Sequence, residues 1–260
     1  MLEFTEIKAK DNRLIKLITL LQKSSKARND NRLFVLEGLR ICKDAALCGV
    51  GFDTIVVSKT AQSKLKPEIE KLALLAEKCV EVPDDLFKKI SDTVSPQGIM
   101  VLAKMPEQER AIDKRGRYIA LENMQDPSNI GAVARTAEAL GISGMIISGE
   151  SCDVFSPKAL RASMGTLLRI PLYFCSDITS FLKENSLRGF AFVPQDNADL
   201  KAGEFRFSDG DVAIIGNEAN GLNEKSIEGA FKTVTIGMRG KAESLNAASA
   251  AAIAIWELGR

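Results

Sequence analysis

The feature that most limits the fold is the alternation of short apolar strands with helical stretches from residue 117 onward. The apolar runs predict strands at residues 117–123, 144–149, 169–174, 190–195, 211–218 and 233–238. Helices are predicted between them at residues 130–140, 156–165 and 181–187, and a last one follows Ser244. Strands that alternate with helices form a mostly parallel sheet covered on both faces. The sequence therefore predicts an α/β fold for this half.

The first half also alternates strands and helices, with boundaries set by the same periodicity rules. Helices are predicted at residues 13–22, 40–49, 65–78 and 84–91, the last one capped by Asp84. Strands are predicted at residues 33–38, 53–58, 79–83 and 98–105, and residues 23–32 are predicted to be a polar, basic turn. Residues 106–116 are polar and show no periodicity, which is typical of a linker. We expect two domains, 1–108 and 109–260.

The absence of histidine excludes several kinds of chemistry, because it removes the commonest general base and the commonest metal ligand together. A Ser-His-Asp triad and a histidine zinc site are impossible, and we expect no metal. The five cysteines are scattered and contain no C-x-x-C pair, which favours reduced, buried thiols. No apolar run is long enough to span a bilayer, and the first ten residues are charged, so we expect a cytoplasmic protein.

Basic residues are concentrated near the start of the chain. Residues 1–43 carry 10 basic and 5 acidic side chains, an excess that a phosphate-contacting segment would need. The candidates for binding RNA are Lys23, Lys26, Arg28 and Arg32. The alternative is a solvated helix surface, which is common.

Three segments of the second half carry unusual polar residues just beyond predicted strands, where ligands bind in open α/β sheets. The first is LENMQDPSNIGAVARTAEALG at residues 121–141, with Asn129 at a helix start and Arg135 less than two turns later. The second is VAIIGNEANGL at residues 212–222, in which two glycines flank polar residues. The third is VTIGMRGKAESLNAASAAAIAIWELG at residues 234–259, where Ser244 is predicted to cap the last helix and Gly259 to end it. Taken singly, these features are also typical of caps, turns and close helix packing.

In order and spacing, the three segments resemble the SpoU/TrmH family of RNA 2′-O-ribose methyltransferases, part of the SPOUT superfamily. The family pattern D-P-x-N-x-G with R-T-A appears as DPSNIG with RTA, G-N-E-x-x-G-L as GNEANGL, and S-L-N as ESLNAASA after IGM. The resemblance covers residues 117–260. Residues 1–105 more loosely resemble the N-terminal substrate-binding domain of members that modify rRNA. Two departures are Gly237, where a proline is usual, and NAASA, where NVSVA is usual.

The resemblance implies a trefoil knot, which sequence rules would not propose, a homodimer with the last helix at its interface, and S-adenosylmethionine as cofactor. The loops from Gly216 to Gly221 and from Ile236 to Asn246 would enclose that cofactor. The cofactor-binding residues implied are Gly216, Asn217, Glu218, Gly221, Ile236, Met238, Ser244, Leu245 and Asn246. The polar catalytic residues implied are Asn129, Arg135, Glu218, Ser244 and Asn246.

By the same resemblance, Arg135 meets the ribose and its phosphate, Ser244 and Asn246 orient the nucleophile or Arg135, and Glu218 holds Asn129. A guanidinium pKa above about 12 makes Arg135 a demanding choice of general base. We expect methylation of a ribose 2′-hydroxyl in RNA, and the extra N-terminal domain favours 23S rRNA. The alternatives are a tRNA 2′-O-methyltransferase and an RNA-binding protein that has lost catalysis. A nucleotide-binding α/β enzyme of another kind would need a phosphate loop or an acidic metal cluster, and the sequence shows neither.

Overall fold

A computed structural model describes residues 3–107, 111–194, 198–242 and 244–260. It divides the chain into two compact units. The first unit comprises Met1–Glu107 and Phe155–Arg161, and the second comprises Gln108–Val154 and Ala162–Arg260. The expected domain boundary at residues 108 and 109 lies outside the described residues. Along the described parts of the chain, no helix is both long and apolar enough to cross a membrane.

The first unit is built on a five-stranded sheet in the order β1-β4-β3-β5-β2. Its strands are β1 (Thr5–Glu6), β2 (Leu33–Glu37), β3 (Phe52–Ser58), β4 (Ala76–Val82) and β5 (Ile99–Lys104). Its helices are α1 (Arg13–Lys23), α2 (Ser25–Asn31), α3 (Leu39–Leu47), α4 (Lys59–Lys64), α5 (Lys66–Ala73) and α6 (Asp84–Ile90). β4 pairs in parallel with β1 and β3, whereas β5 runs antiparallel to β2 and β3. The sheet is therefore mixed.

Helix α1 shows how the sequence produces this core. The Asn12 side chain accepts a hydrogen bond from the Leu14 amide at 2.8 Å and so caps the helix. Ile15, Ile18 and Leu21 follow at helical spacing and are buried in a cluster with residues of the strands. Capping and the apolar stripe thus agree on where the helix starts and which face it buries.

The predicted turn at residues 23–32 is wrong, because helix α2 occupies most of it. The Ser24 hydroxyl accepts from the Ala27 amide at 3.2 Å, and Arg32 ends the helix with a left-handed φ of 54°. Arg28 is buried at 3% exposure, and its guanidinium donates to the carbonyl of Leu21. A seven-residue helix with no apolar stripe is invisible to periodicity, and its order comes from the cap and this buried arginine.

Two other predictions in the first unit are corrected. The helix predicted at residues 65–78 ends at Ala73, because β4 begins at Ala76 and pairs with β3. Asp84 does not cap α6, since Pro83 occupies the cap position. The Asp84 carboxylate instead accepts from the amide and the hydroxyl of Thr60, at 3.1 and 2.8 Å.

The second unit contains a seven-stranded sheet in the order β10-β12-β9-β11-β6-β7-β8, and every pairing is parallel. Its strands are β6 (Tyr118–Glu122), β7 (Gly144–Ser148), β8 (Leu172–Cys175), β9 (Arg188–Phe192), β10 (Leu200–Lys201), β11 (Asp211–Ile215) and β12 (Lys232–Thr235). Its helices are α7 (Pro127–Ala139), α9 (Ile178–Asn185), α10 (Glu224–Glu228) and α11 (Ala247–Gly259), with a 3₁₀ turn at Thr166–Leu168, whereas α8 (Pro157–Ala162) belongs to the first unit in all but its last residue. The predicted parallel α/β sheet is confirmed. β10, α10 and the 3₁₀ turn were not predicted.

Helix ends in the second unit differ from prediction at three places. Asn246, not Ser244, caps α11, because its side chain accepts from the amides of Ala248 and Ser249 at 2.9 and 3.3 Å. Gly259 is the last helical residue and does not follow the helix. Helix α7 begins at Pro127, so Asn129 lies inside its first turn and Asp126 is the cap.

Because the strands are parallel, the loops that follow β6, β7 and β11 lie at the same edge of the sheet. β11 lies beside β6, β6 lies beside β7, and their carboxyl ends point the same way. The polar segments after Glu122, Ser148 and Ile215 are therefore neighbours at that edge.

Candidate functional site

The loop between β6 and α7 positions Asn129. Asn123 leaves the strand with a left-handed φ of 53°, and its side chain accepts from the Glu150 amide at 3.0 Å. Asp126 then caps α7 through the Ser128 amide at 2.9 Å, with Pro127 at the first helical position. Asn129 follows at the third position of the helix and is 8% exposed. The loop thus directs a mostly buried amide toward the edge of the sheet.

The segment Gly216–Leu222 is a tight turn at the end of β11. Asn217 and Gly221 exchange two backbone hydrogen bonds, both of 2.9 Å, and the Asn217 side chain accepts from the amides of Ala219 and Asn220. A Cβ atom at Gly216 would lie 2.2 Å from the carbonyl carbon of Gly221, which itself has a φ of +67°. Both glycines are therefore required by the shape of the turn.

Glu218, at the tip of this turn, reaches back to the β6–α7 loop. Its carboxylate accepts from the side-chain nitrogen of Asn129 at 2.8 Å and from the amides of Gln125 and Asp126 at 3.3 and 3.4 Å. Partial burial raises the pKa of Glu218, but these hydrogen bonds, led by the one from Asn129, outweigh it and lower the pKa overall. The carboxylate is ionised at neutral pH.

A chain of amides extends this contact to the last helix. Because the Asn246 oxygen caps α11, its nitrogen faces outward and donates to the Asn129 oxygen at 3.3 Å. The Asn129 nitrogen is then left for Glu218. Glu218, Asn129 and Asn246, from the three sequence segments, thus form one connected chain with every amide oriented.

The other two candidates for the polar site stand apart from this chain. Arg135 and Ser244 are exposed, and their side chains make no hydrogen bond or ion pair with the described residues. Their guanidinium and hydroxyl are available to a substrate. Of the five candidates, the structure joins Asn129, Glu218 and Asn246 directly.

The candidate cofactor residues lie on the turn and on the loop after β12. Ile236 and Met238 are half-buried and Leu245 is exposed, while Glu243 lies outside the described residues. A Cβ atom at Gly237 would meet nothing within 4 Å, so the glycine at this position is not required by close packing. The loop has room beside it.

These residues fit S-adenosylmethionine. Its adenine and ribose are neutral, and they suit the backbone groups of the glycine turn together with the half-buried Ile236 and Met238. Its sulfonium is cationic, and the ionised Glu218 contributes the opposite charge to this edge of the sheet. Among the described residues there is no group of three or more cysteine, aspartate or glutamate side chains that could hold a metal. Burial, with Asp126 and Glu218 nearby, raises the pKa of the Cys152 thiol to about 12, so this thiol is not a nucleophile at neutral pH.

The predicted RNA-binding residues divide into two groups. Lys23, Lys26 and Arg32, which we call the basic trio, are exposed, and Arg32 donates to the carbonyl of Pro106 at 3.2 Å. Arg28 as a phosphate contact is wrong, because its guanidinium is buried against the end of α1. Its position supports the packing of α1 on α2.

Sequence reasoning missed Glu122, a carboxylate with 3% exposure at the end of β6. It accepts from the amide and the side chain of Asn223 and from the hydroxyl of Ser226. The signal was an acidic residue closing an otherwise apolar strand, YIALE.

Both halves of the chain match known protein families. Residues 116–256 match the model of the SpoU rRNA Methylase family, and residues 12–101 match that of the MRM3-like substrate binding domain. The chain is 28% identical over 240 residues to the 23S rRNA (guanosine(2553)-2′-O)-methyltransferase RlmP of Bacillus subtilis, covering 90% of this chain and 92% of that protein.

Two further proteins bear on substrate and fold. The 23S rRNA (uridine(2479)-2′-O)-methyltransferase of Streptomyces viridochromogenes is 29% identical over 193 residues, which cover 71% of this chain and 67% of that protein. The crystal structure of an AdoMet-bound rRNA methyltransferase from Sinorhizobium meliloti superposes with a TM-score of 0.85 at 26% identity, covering 98% of this chain and 97% of that one. These two relatives act on different nucleosides of 23S rRNA, a guanosine and a uridine.

Proposed function

The chain belongs to the SpoU rRNA methylase family, and from that membership we propose that it transfers the methyl group of S-adenosylmethionine to a ribose 2′-hydroxyl of 23S rRNA. The observation that carries the proposal is the hydrogen-bonded chain of Glu218, Asn129 and Asn246. It joins all three characteristic segments at the carboxyl edge of a parallel sheet, where such enzymes bind ligands.

Methyl transfer depends more on how the two reactants are positioned than on a strong catalytic group. The cofactor supplies an activated methyl group on a sulfonium, and the chain must hold the ribose hydroxyl in line with it. The oriented amides serve this purpose, since Asn246 is fixed by the cap of α11 and Asn129 by Glu218. Rigid side chains of this kind cost little reorganisation when the reaction occurs.

We assign the exposed groups to the RNA. Arg135 lies on the same helix as Asn129 and has no partner among the described residues, so its guanidinium is free to pair with a phosphate and the ribose beside it. Ser244 lies two residues before the cap of α11 and can hydrogen-bond the sugar. Glu218 keeps a structural part, because its carboxylate already accepts three hydrogen bonds.

We propose that the first unit selects the RNA. Support comes from the match of residues 12–101 to a substrate-binding domain and from the exposed basic trio. Phosphate contacts made by these side chains would give salt-dependent affinity. The named bacterial relatives act on ribosomal RNA, and we propose the same substrate and a cytoplasmic site of action for this chain.

We further propose a homodimer formed through α11. Trp256 on this helix is 58% exposed, and Leu140, whose carbonyl lies 4.0 Å from a Cβ built on Gly259, is 38% exposed. Large apolar side chains exposed on neighbouring helices are typical of an interface. The trefoil knot that the resemblance implies stays a prediction.

The experiment that tests the function measures methyl transfer to RNA and maps the modified site. Purified protein and radiolabelled S-adenosylmethionine should label 23S rRNA taken from a strain without this gene, with chelator present, and mapping should find one new 2′-O-methyl site. Labelling of tRNA alone would favour the tRNA alternative. Cofactor and RNA binding without labelling would indicate an RNA-binding protein that has lost catalysis.

A further inference from the structure

Glu122 ends β6 with a carboxylate that is almost fully buried. The backbone N–H of Asn223 donates to one oxygen at 2.8 Å, and the side-chain nitrogen of Asn223 donates to the other at 2.9 Å. The Ser226 hydroxyl also donates to that second oxygen. All three donors are neutral, and within the described residues Glu122 has no ion pair. Burying a carboxylate is costly unless its acceptor sites are filled. Glu122 therefore serves to hold Asn223 and Ser226, the residues that fill its acceptor sites.

Those partners sit directly after the glycine turn. Asn223 follows Leu222 and caps α10 by accepting from the Ser226 amide at 2.7 Å. At the other end of the turn, the Asn217 side chain donates to the carbonyl of Asn123 at 2.7 Å. Two consecutive residues at the end of β6 thus hold both ends of one turn. We call Glu122, Asn123, Asn217 and Asn223 the turn clamp.

The clamp begins where strand pairing stops. The last residues paired between β6 and β11 are Leu121 and Ile215, so no ladder hydrogen bond between these two strands fixes the turn beyond them, although Glu122 itself still pairs with Ser148 of β7. Beyond these residues, the side-chain hydrogen bonds of the turn clamp hold the turn against the end of β6. They determine how far the turn stands from the β6–α7 loop, and Glu218 must cross that gap to reach Asn129.

We propose that Glu122 is a positioning residue for the cofactor, which holds the Gly216–Leu222 turn in its binding shape through Asn223. This inference rests on the proposed function, since it takes the turn to be part of the S-adenosylmethionine site. Without the clamp, the turn samples other positions, and ordering it on binding costs affinity.

A pair of substitutions tests the contact by exchange. Glu122→Gln leaves an NH₂ group facing the donors of Asn223 or Ser226, and Asn223→Asp sets a second carboxylate against Glu122. In the double variant, the introduced amide can accept from the backbone N–H of position 223 through its oxygen and donate to the introduced carboxylate through its nitrogen. The other oxygen of that carboxylate still caps α10. The exchange therefore restores both bonds between positions 122 and 223 with the two side chains reversed, and the Ser226 hydroxyl, which donates to Glu122 in the parent, accepts the second N–H of the introduced amide instead.

The readout is the Kd for S-adenosylmethionine by calorimetry on the full chain, with KM for the cofactor and kcat measured on rRNA from a strain without this gene. We expect each single variant to raise Kd and KM by about tenfold while kcat at saturating cofactor changes by less than about threefold. The double variant should return to within about threefold of the parent. Asp211→Asn is the matched control, because Asp211 is a buried carboxylate at the opposite end of the sheet. It should lower Tm and leave Kd unchanged.

Each outcome decides the matter. A Glu122→Gln protein that binds the cofactor as the parent does, or a double variant no better than its worse single, overturns the inference. Equal weakening by Asp211→Asn would show a general loss of stability and overturns it too. If Glu122→Gln does not fold, Asn223→Asp, at an exposed position, and the double variant give the same test. A parent protein that binds no S-adenosylmethionine would instead refute the proposed function.

Discussion

Replacing Glu218 by glutamine tests the hydrogen-bonded chain at the site. The strongest of the bonds affected is the one from Asn129 at 2.8 Å, while the two backbone donors at 3.3 and 3.4 Å are long. A bond to a buried charged acceptor contributes about 1.5–3 kcal/mol, and the exposure of Glu218 reduces this to about 1 kcal/mol. Glu218→Gln should therefore lower Tm by about 2–4 °C.

The pH dependence has a definite sign. The folded protein lowers the pKa of Glu218 below that of the unfolded chain, so the folded state favours the ionised form. The stabilisation is fully present above the unfolded pKa of about 4.3 and is lost as the pH falls through the lower folded pKa. The difference in free energy of unfolding between the parent and Glu218→Gln should be constant near neutrality and shrink in acid.

Activity should fall much further than stability. A displacement of about 1 Å in Asn129 and Asn246 costs roughly 10²-fold in rate, so we expect a loss of that order in methyl transfer to rRNA at a temperature well below Tm. Glu228→Gln, an exposed glutamate outside the network, is the control and should change neither quantity. Normal activity in Glu218→Gln, or a stability difference that grows in acid, would refute this account of Glu218.

Three further predictions concern the RNA, the first unit and the dimer. Arg135→Ala, and also Arg135→Lys, which cannot reproduce the guanidinium fork, should abolish methylation while calorimetry finds nearly unchanged cofactor binding; a large loss of cofactor affinity would contradict this. Neutralising the basic trio should lower the slope of log affinity against log salt by roughly 2, whereas Arg28→Gln should lower Tm and leave that slope alone; the reverse result would contradict our assignment of Arg28. Trp256→Glu should convert a dimer to a monomer in sedimentation at micromolar concentration, and an unchanged dimer would exclude this face.

Much of the second unit could be predicted because its signals are local. Apolar runs such as VAII in β11 predict buried parallel strands, and strand order then brings Asn129 and Glu218 to the same edge. Recognition of the three segments rested on their residues and spacing. What could not be predicted is which amide faces which partner, because the direction of each Asn side chain depends on neighbours distant in sequence.

The misassignments share one physical cause. Residue type and local position predict a surface cation at Arg28 and helix caps at Asp84 and Ser244. In the structure, Arg28 instead donates to a carbonyl of α1 and Asp84 accepts from the Thr60 hydroxyl. The cap of α11 is Asn246, two residues after Ser244. Polar side chains have several acceptable partners in a chain, and tertiary packing selects among them.

The assignment of Phe155–Arg161 to the first unit has a consequence for dissecting this protein by expression of fragments. Phe155, Ala159 and Leu160 are no more than 4% exposed, and Phe155 packs on Phe34 with ring centroids 4.9 Å apart. A fragment that begins after residue 107 would leave these apolar side chains in water, which favours aggregation. If such a fragment did not methylate RNA, the loss would have two causes at once, namely the missing substrate-binding unit and aggregation through the exposed apolar side chains. A clean separation replaces residues 155–161 by a polar linker of similar length.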